Sequence, residues 1–234
     1  MPGERPGRVS GGPAAMFFNA LAIALSAWML VKHGRRALLF FFPGLVRVRG
    51  DAAAPPRTTA QAELGDQLRA LGFERLGARD ERGPLRGLDL ASDGWANPAD
   101  GAYADVFSVR PRGGPGPLFY FLSAFDDGAL VLTANHPRLA QHAAAVQAGG
   151  LPGASLEATW RAHQLAVQRF AGPHGAPRAG GLGERAEVAR RWYRGPGRAE
   201  LRRMFGMSVV SALVALLLFA GTVHLLVRGL AHPG

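Results

Sequence analysis

The sequence predicts an α+β domain held between two membrane-spanning helices. Three observations predict it. Met204 to Val227 is a run of 24 residues in which only His224 can be charged. Ala14 to Val31 is a second run without any charge. Between the two, the pattern is one amphipathic helix, a series of short turn-punctuated strands, then further helices. That order suggests an antiparallel β-meander of about five strands with flanking helices, packed on one face of the sheet.

The charge distribution belongs to the same picture. The net charge of +10 lies in the flanks. From Asp51 to Ala189 there are 13 arginines, no lysine and 15 carboxylates, so the middle carries about −2. A basic chain raises nucleic acid as a partner, but no basic patch with interleaved aromatics occurs in the middle, which excludes that class. There is no cysteine, so disulfides and thiolate metal sites are excluded.

Taken in order, Met1 to Pro13 is polar and rich in Gly and Pro, and reads as a disordered tail. Ala14 to Val31 gives about 27 Å of helix, near the lower limit for a span. A cleaved signal peptide is the rival reading. It lacks a small-x-small cleavage site, and Lys32-His33-Gly34-Arg35-Arg36 follows as a stop-transfer collar. Ala37 to Val46 is apolar but too short to span, so an interfacial segment broken at Pro43-Gly44 is expected. Residues 32–57 then form a basic, interfacial segment and a linker through Pro55-Pro56.

The α+β domain is expected over residues 58–171. Thr58 and Gln61 match a capping box, Leu64, Leu68 and Leu71 fall at helical spacing, and Gly72 suits the position after the helix. The expected strands are Phe73 to Arg79, Leu85 to Ala91, Ala102 to Arg110, Leu118 to Phe125 and Ala129 to Thr133. Gly83-Pro84, Asp93-Gly94, Asp100-Gly101, Gly113 to Gly116 and Asp127-Gly128 supply the turns. Leu118 to Phe125 is apolar on both faces, the mark of a central strand. Pro137 opens an expected helix that closes at Gly149-Gly150, and Ser155 caps another running to Phe170. Residues 172–203 hold a loop and a basic juxtamembrane helix from Glu184 to Arg194. The second span is 204–227 and the C-terminal tail is 228–234.

Basic residues crowd the inner ends of both spans: Lys32, Arg35 and Arg36 after the first, and Arg190, Arg191, Arg194, Arg202 and Arg203 before the second. Trp192 and Tyr193 join them as expected headgroup anchors, since their rings favour the interface. The positive-inside rule then puts the domain in the cytoplasm and both termini on the opposite side, with a bacterial inner membrane as the expected location.

Three residues are candidates for chemistry. Asp126, beside Asp127-Gly128, could serve a metal or a general base, though Asp-Gly between two strands is a favoured hairpin turn. His136, after Asn135 at the end of a strand, precedes Pro137 at an expected helix start. His163 lies on the apolar stripe of Leu156, Trp160, Val167 and Phe170, where a histidine is normally a hydrogen-bonded core residue. No metal-binding histidine pair, nucleophile elbow or phosphate loop occurs. Asp89, Asp93 and Asp100 fail the calcium-loop pattern, with Ala91 at the third position. No cofactor is implied, and the expected partner is the lipid bilayer.

Three function classes follow. The first is a membrane-tethered binding or regulatory module. The second is a membrane-tethered hydrolase using Asp126, Asn135, His136 and His163. The third is an accessory subunit docking on another membrane protein through the small residues Ala20/Ala24, Ala22/Ser26, Ser208/Ala212 and Ser211/Ala215.

Overall fold

The computed structural model describes residues 13–108 and 117–231, with side chains over 16–108 and 117–228. The expected N-terminal tail up to residue 12, the end of the third expected strand (109–110), the Gly113 to Gly116 turn and residues 232–234 lie outside the described residues. Among the described residues the architecture is α+β, with a mixed eight-stranded sheet and five helices.

The chain enters through α1 (Pro13–Phe41), makes a 3-10 turn at Pro43–Leu45, and forms the edge strand β1 (Arg47–Asp51). Then come α2 (Thr59–Ala70), β2 (Glu74–Arg82), β3 (Asp89–Asn97), β4 (Ala102–Phe107), β5 (Phe119–Ala124) and β6 (Leu130–Ala134). The short strands β7 (Gln141–Ala143) and β8 (Val146–Gly150) follow, then α3 (Leu156–His174), α4 (Leu182–Arg194) and α5 (Gly197–Ala231). The sheet order is β1-β2-β3-β4-β5-β6-β8-β7, antiparallel throughout except that β6 and β8 run parallel.

Several local expectations hold. The Thr58 hydroxyl accepts from the Gln61 amide at 3.2 Å and caps α2. Gly72 follows the helix at φ +83°, the left-handed conformation that glycine reaches without a Cβ clash. Ser155 caps α3. Every residue of β5 is buried, as a strand covered on both faces requires.

Other expectations are corrected. Pro137 opens no helix. The segment supplies β7 and β8, because β6 would otherwise expose its ladder, and pairing with β8 buries Val146 and Ala148 in the core. Asp93-Gly94 is no turn either. It lies within β3, where the buried Asp93 carboxylate accepts from Arg75 Nε (3.1 Å) and Trp95 Nε1 (3.1 Å). The strand expected at Leu85 to Ala91 is therefore displaced, and Pro84–Arg86 is a 3-10 turn. Residues 47–51, expected in the linker region, pair with β2.

Helices cover both faces of the sheet, not one. On one face Leu64 and Leu68 of α2 and Leu156 and Trp160 of α3 pack with Phe73, Trp95, Phe119 and Phe121. On the other, Val188 and Trp192 of α4, Leu201 and Phe205 of α5, and Leu39 of α1 pack on Leu122, Leu130 and Leu132.

Two helices are long and apolar enough to cross a membrane, Met16–Phe41 and Gly197–Arg228. They pack along each other, with the end of α1 and the start of α5 together at the domain. The seam on α5 is Leu201, Phe205, Ser208, Ala212 and Ala215, spaced alternately by four and three, and Ser26 is buried on α1. Ala20, Ala22 and Ala24 face outward. Residues 37–41 are not a separate interfacial segment. The helix continues through Lys32, Arg35 and Arg36 because nothing breaks it before Pro43, and the fully buried Leu39 joins the domain core.

Candidate functional site

The strand pattern creates the most unusual feature of the molecule. In β4, Asp105 shares a face with Tyr103 and Phe107. In β2, Arg79 and Glu81 share a face two residues apart. In β5, Tyr120 shares a face with Leu122. All of these faces look toward α4, whose stripe Arg185, Val188, Ala189 and Trp192 looks back. Two guanidiniums and two carboxylates therefore meet where only apolar groups are ordinarily found.

Arg79, Asp105 and Arg185 are fully buried. Arg79 Nη2 lies 2.8 Å from Asp105 Oδ1, and Arg79 Nη1 donates to Glu81 Oε1 at 2.6 Å. Arg185 Nε donates to Asp105 Oδ2 at 3.0 Å, and its Nη2 reaches the same oxygen. Both guanidiniums also donate to the Tyr120 hydroxyl, at 2.9 and 2.7 Å. The Tyr193 hydroxyl donates to Glu81 Oε2. Arg185 lies over the rings of Tyr103 and Tyr120.

Burial alone would raise the Asp105 pKa, but Arg185 and Arg79 outweigh it and hold the carboxyl below its usual range. Burial opposes the charge on Arg79 too, and Asp105, Tyr120 and Glu81 overcome it, so its pKa lies well above the usual value. Burial pushes the Tyr120 phenol up to about 12 and holds Tyr193 well above its usual value, with Glu81 adding to the effect in both. The network is thus charged, balanced and locked. One donor is left over: Arg185 Nη1 is buried and has no acceptor among the described residues.

A cavity of about 250 Å³ adjoins this network. Its floor is the sheet, through Leu90, Tyr120, Leu122 and Leu132. Its cover is Ala189, Trp192 and Tyr193 of α4 with Gly197, Leu201 and Met204 of α5. Glu81 and Arg185 line it, as do His136, Arg138 and Glu200. Arg138 pairs with Glu200 at 2.5 Å and lies over the Tyr120 and Trp192 rings, 5.3 and 5.2 Å from their centroids. Burial, then Arg138, lowers the His136 pKa to about 4.

The sequence-derived candidates do not converge. Asp126 lies in the turn after β5 and pairs with Arg178 at 3.2 Å, both side chains exposed. The neighbouring Asp127 closes the turn, accepting from the Ala129 amide at 3.0 Å, and Gly128 takes φ +91°. Asn135 ties the ends of β5 and β6, accepting from the Phe119 amide at 2.9 Å and donating to Pro117 at 3.0 Å. Of these four, His136 alone reaches the cavity beside the ionic network. His163 lies across the sheet, stacked on Trp160. Its Nε2 is 3.1 Å from Ser123 Oγ and its Nδ1 3.2 Å from Thr133 Oγ1. Ser123 and His163 have the spacing of a nucleophile and base, but neither is exposed, and the third group is a hydroxyl where a carboxylate would orient the ring. Burial lowers the His163 pKa to about 3, far from a base working near neutrality. A cavity of about 100 Å³ beside them is lined by Asp100 and Gln164.

Trp192 and Tyr193, expected as headgroup anchors, are buried against the sheet instead. Arg191, Arg194, Arg202, Arg203 and Arg36 are exposed, with Lys32 and Arg35 half-buried. Arg190 is half-buried, paired with Glu187 and donating to Val48. The Lys32 ammonium lies 4.6 Å from the centre of the Trp28 ring. Among the described residues, no group of three or more histidines and carboxylates gathers to hold a metal ion.

Sequence reasoning missed Arg79, Glu81, Asp105, Tyr120 and Arg185. Part of the signal was present: Asp105 and Arg185 each occupy an inward position of an otherwise apolar period, whereas Arg79 and Glu81 follow only Gly77 on their face of β2. No family model, curated protein or solved structure matches the chain.

Proposed function

We propose that the chain is a two-span membrane protein whose α+β domain stands on the cytoplasmic face and binds an apolar or amphiphilic molecule without transforming it. The observation that carries this reading is the cavity between the sheet and the base of α5. A concave site lined mainly by apolar side chains, with a few placed polar groups, has the form of a ligand pocket. Gly197, Leu201 and Met204 bring it to the start of a helix able to cross a membrane, so a ligand dissolved in the bilayer has a short route in. The separation of Asp126, Asn135, His136 and His163 supports binding over hydrolysis, because a catalytic constellation needs its groups within hydrogen-bond reach.

The same end of the domain supports the membrane-facing orientation. Leu85 is 73% exposed, and Phe41, Phe42 and Leu45 are exposed near it, alongside Arg47, Arg49 and Arg82. Apolar tips among arginines fit a surface of anionic lipid. The full-length chain extracted in mild detergent should retain a lipid-like molecule, detected by mass spectrometry of an organic extract. Leu132→Trp, which fills the cavity, should release it. Equal retention by the filled variant would refute the reading.

A further inference from the structure

We infer that the groove between β1 and the tip joining β2 to β3 binds the phosphate headgroup of an anionic phospholipid. The inference rests on the reading that both long helices span a bilayer, and the site is separate from the apolar cavity. The strand ladder builds the groove. In the antiparallel pair of β1 and β2, Arg47 stands directly opposite Arg82 and Arg49 opposite Asp80. Arg47 and Arg49 share one face of β1, because the intervening Val48 is buried with Ala186 and Ala189 of α4. Side chains directly opposite lie about 4.5–5.5 Å apart at Cβ, and like charges so placed repel. With Leu45, Pro84 and Leu85 these residues line a concave space of about 460 Å³.

The groove carries unmatched positive charge. Arg47, Arg49 and Arg82 all line it, and all three are exposed. The one lining carboxylate, Asp80, is already held by Arg57 at 2.8 Å and by Arg82 at 3.3 Å. Asp89 lies 3.8 Å from Arg82, and Asp51, next on the same face of β1, accepts from the Ala53 amide at 3.0 Å. Among the described residues, Arg47 and Arg49 enter no ion pair. A phosphate placed between them and Arg82 would accept from both free guanidiniums and relieve the repulsion across the ladder.

Position selects a lipid over a soluble phosphate. A single 3-10 turn, Pro43–Leu45, separates β1 from the end of α1. The β2–β3 tip lies against that same end: a Cβ at Gly83 would strike Leu39, and one at Gly87 the Arg35 carbonyl. The groove therefore stands at the domain end of the first span. There the exposed Leu45 and Leu85 offer contact to acyl chains while the arginines meet the phosphate. Among the described residues no aromatic side chain lines the groove, so a nucleobase has nothing to stack on.

The test uses the full-length chain in mild detergent and native mass spectrometry. The probes are palmitoyl-oleoyl phosphatidylglycerol, phosphatidylcholine with the same chains, and glycerol 3-phosphate. Phosphatidylglycerol should bind at least about tenfold more tightly than phosphatidylcholine. Arg47→Gln and Arg49→Gln should each weaken phosphatidylglycerol about fivefold, the loss expected of one arginine at an anionic headgroup, and leave phosphatidylcholine unchanged. Arg178→Gln makes the same charge change beside Ala124, at the opposite end of the sheet from Arg82, and should alter binding less than about twofold. Both groove positions are exposed, and Arg49→Gln carries the test should Arg47→Gln lose its fold. Equal binding of the two lipids, or equal losses in all three variants, overturns the site. Displacement of phosphatidylglycerol by an equal concentration of glycerol 3-phosphate overturns the lipid as its occupant. A chain that alkaline carbonate strips from membranes overturns the two spans and this inference together. One that stays embedded yet shows no lipid preference overturns the site alone.

Discussion

The buried network of Arg79, Asp105 and Arg185 lends itself to a double-mutant cycle. Asp105→Asn leaves two fully buried guanidiniums with a single carboxylate, Glu81, which pairs with Arg79 and not with Arg185. Removing one partner of a buried ion pair costs about 3–5 kcal/mol, because the remaining charge stays desolvated. Arg185→Met leaves Asp105 with Arg79 and the Ser92 hydroxyl, and should cost a similar amount. The double variant leaves Arg79 with Glu81, a balanced pair again. Its cost should fall short of the sum by about 2–3 kcal/mol, the coupling expected of residues in one network. The assay is thermal unfolding of the full-length chain in mild detergent, followed by near-ultraviolet circular dichroism. At 2–4 °C per kcal/mol for a chain of this size, each single variant should lower Tm by roughly 6–20 °C. The double variant should fall further than either single, but by less than the two single shifts added together. Additivity within about 0.5 kcal/mol would refute the idea that these charges act as one unit.

Four further outcomes are expected. Phe121→Ala should cost about 3–5 kcal/mol, since the ring is fully buried among Phe73, Phe119 and Trp160, whereas Asp126→Asn should stay within about 0.5 kcal/mol; equal melting temperatures for the two would undo the core assignment. His163 titrates near 3 when folded and near 6.5 when unfolded, so the unfolded chain takes up the proton first. Its contribution is therefore complete above about pH 6.5 and declines by up to about 1.4 kcal/mol per unit as the pH falls toward 3; a His163→Gln variant with the same pH slope would contradict this. A fragment of residues 58–183 should fail to fold cooperatively, because it lacks β1, Val188, Trp192, Leu201 and Phe205; a sharp calorimetric transition from that fragment would show that the rest of the core suffices. A reporter active only in the cytoplasm should signal when fused near Gly175 and stay silent after Gly234, and the reverse pattern would invert the topology.

Much of the architecture was legible because it depends on local chemistry. An uncharged run of 24 residues reads as a span from length alone. Thr58, Ser155 and Gly72 marked helix ends because capping is settled within one turn, and Asp127-Gly128 marked a hairpin for the same reason. What escaped was what depends on distant partners. Residues 137–150 suggest helix by themselves, and only the open edge of β6 makes them strands. Asp93-Gly94 suggests a turn until Arg75 and Trp95 arrive to satisfy its carboxylate. Trp192 and Tyr193 look like interface anchors beside so many arginines, and packing against the sheet turns them inward.

The sequence by itself determined that apolar spans flank an α+β region, where the positive charge lies, and which chemistries have no motif. The tertiary structure decided which residues form the site. Arg79, Asp105, Tyr120 and Arg185 are separated by up to 106 positions. Nothing local marks them as partners, because an ion pair is defined by distance in space and by the water excluded around it. The fold brings three strands and a helix together, removes the solvent around the charges, and sets an apolar-lined cavity next to them.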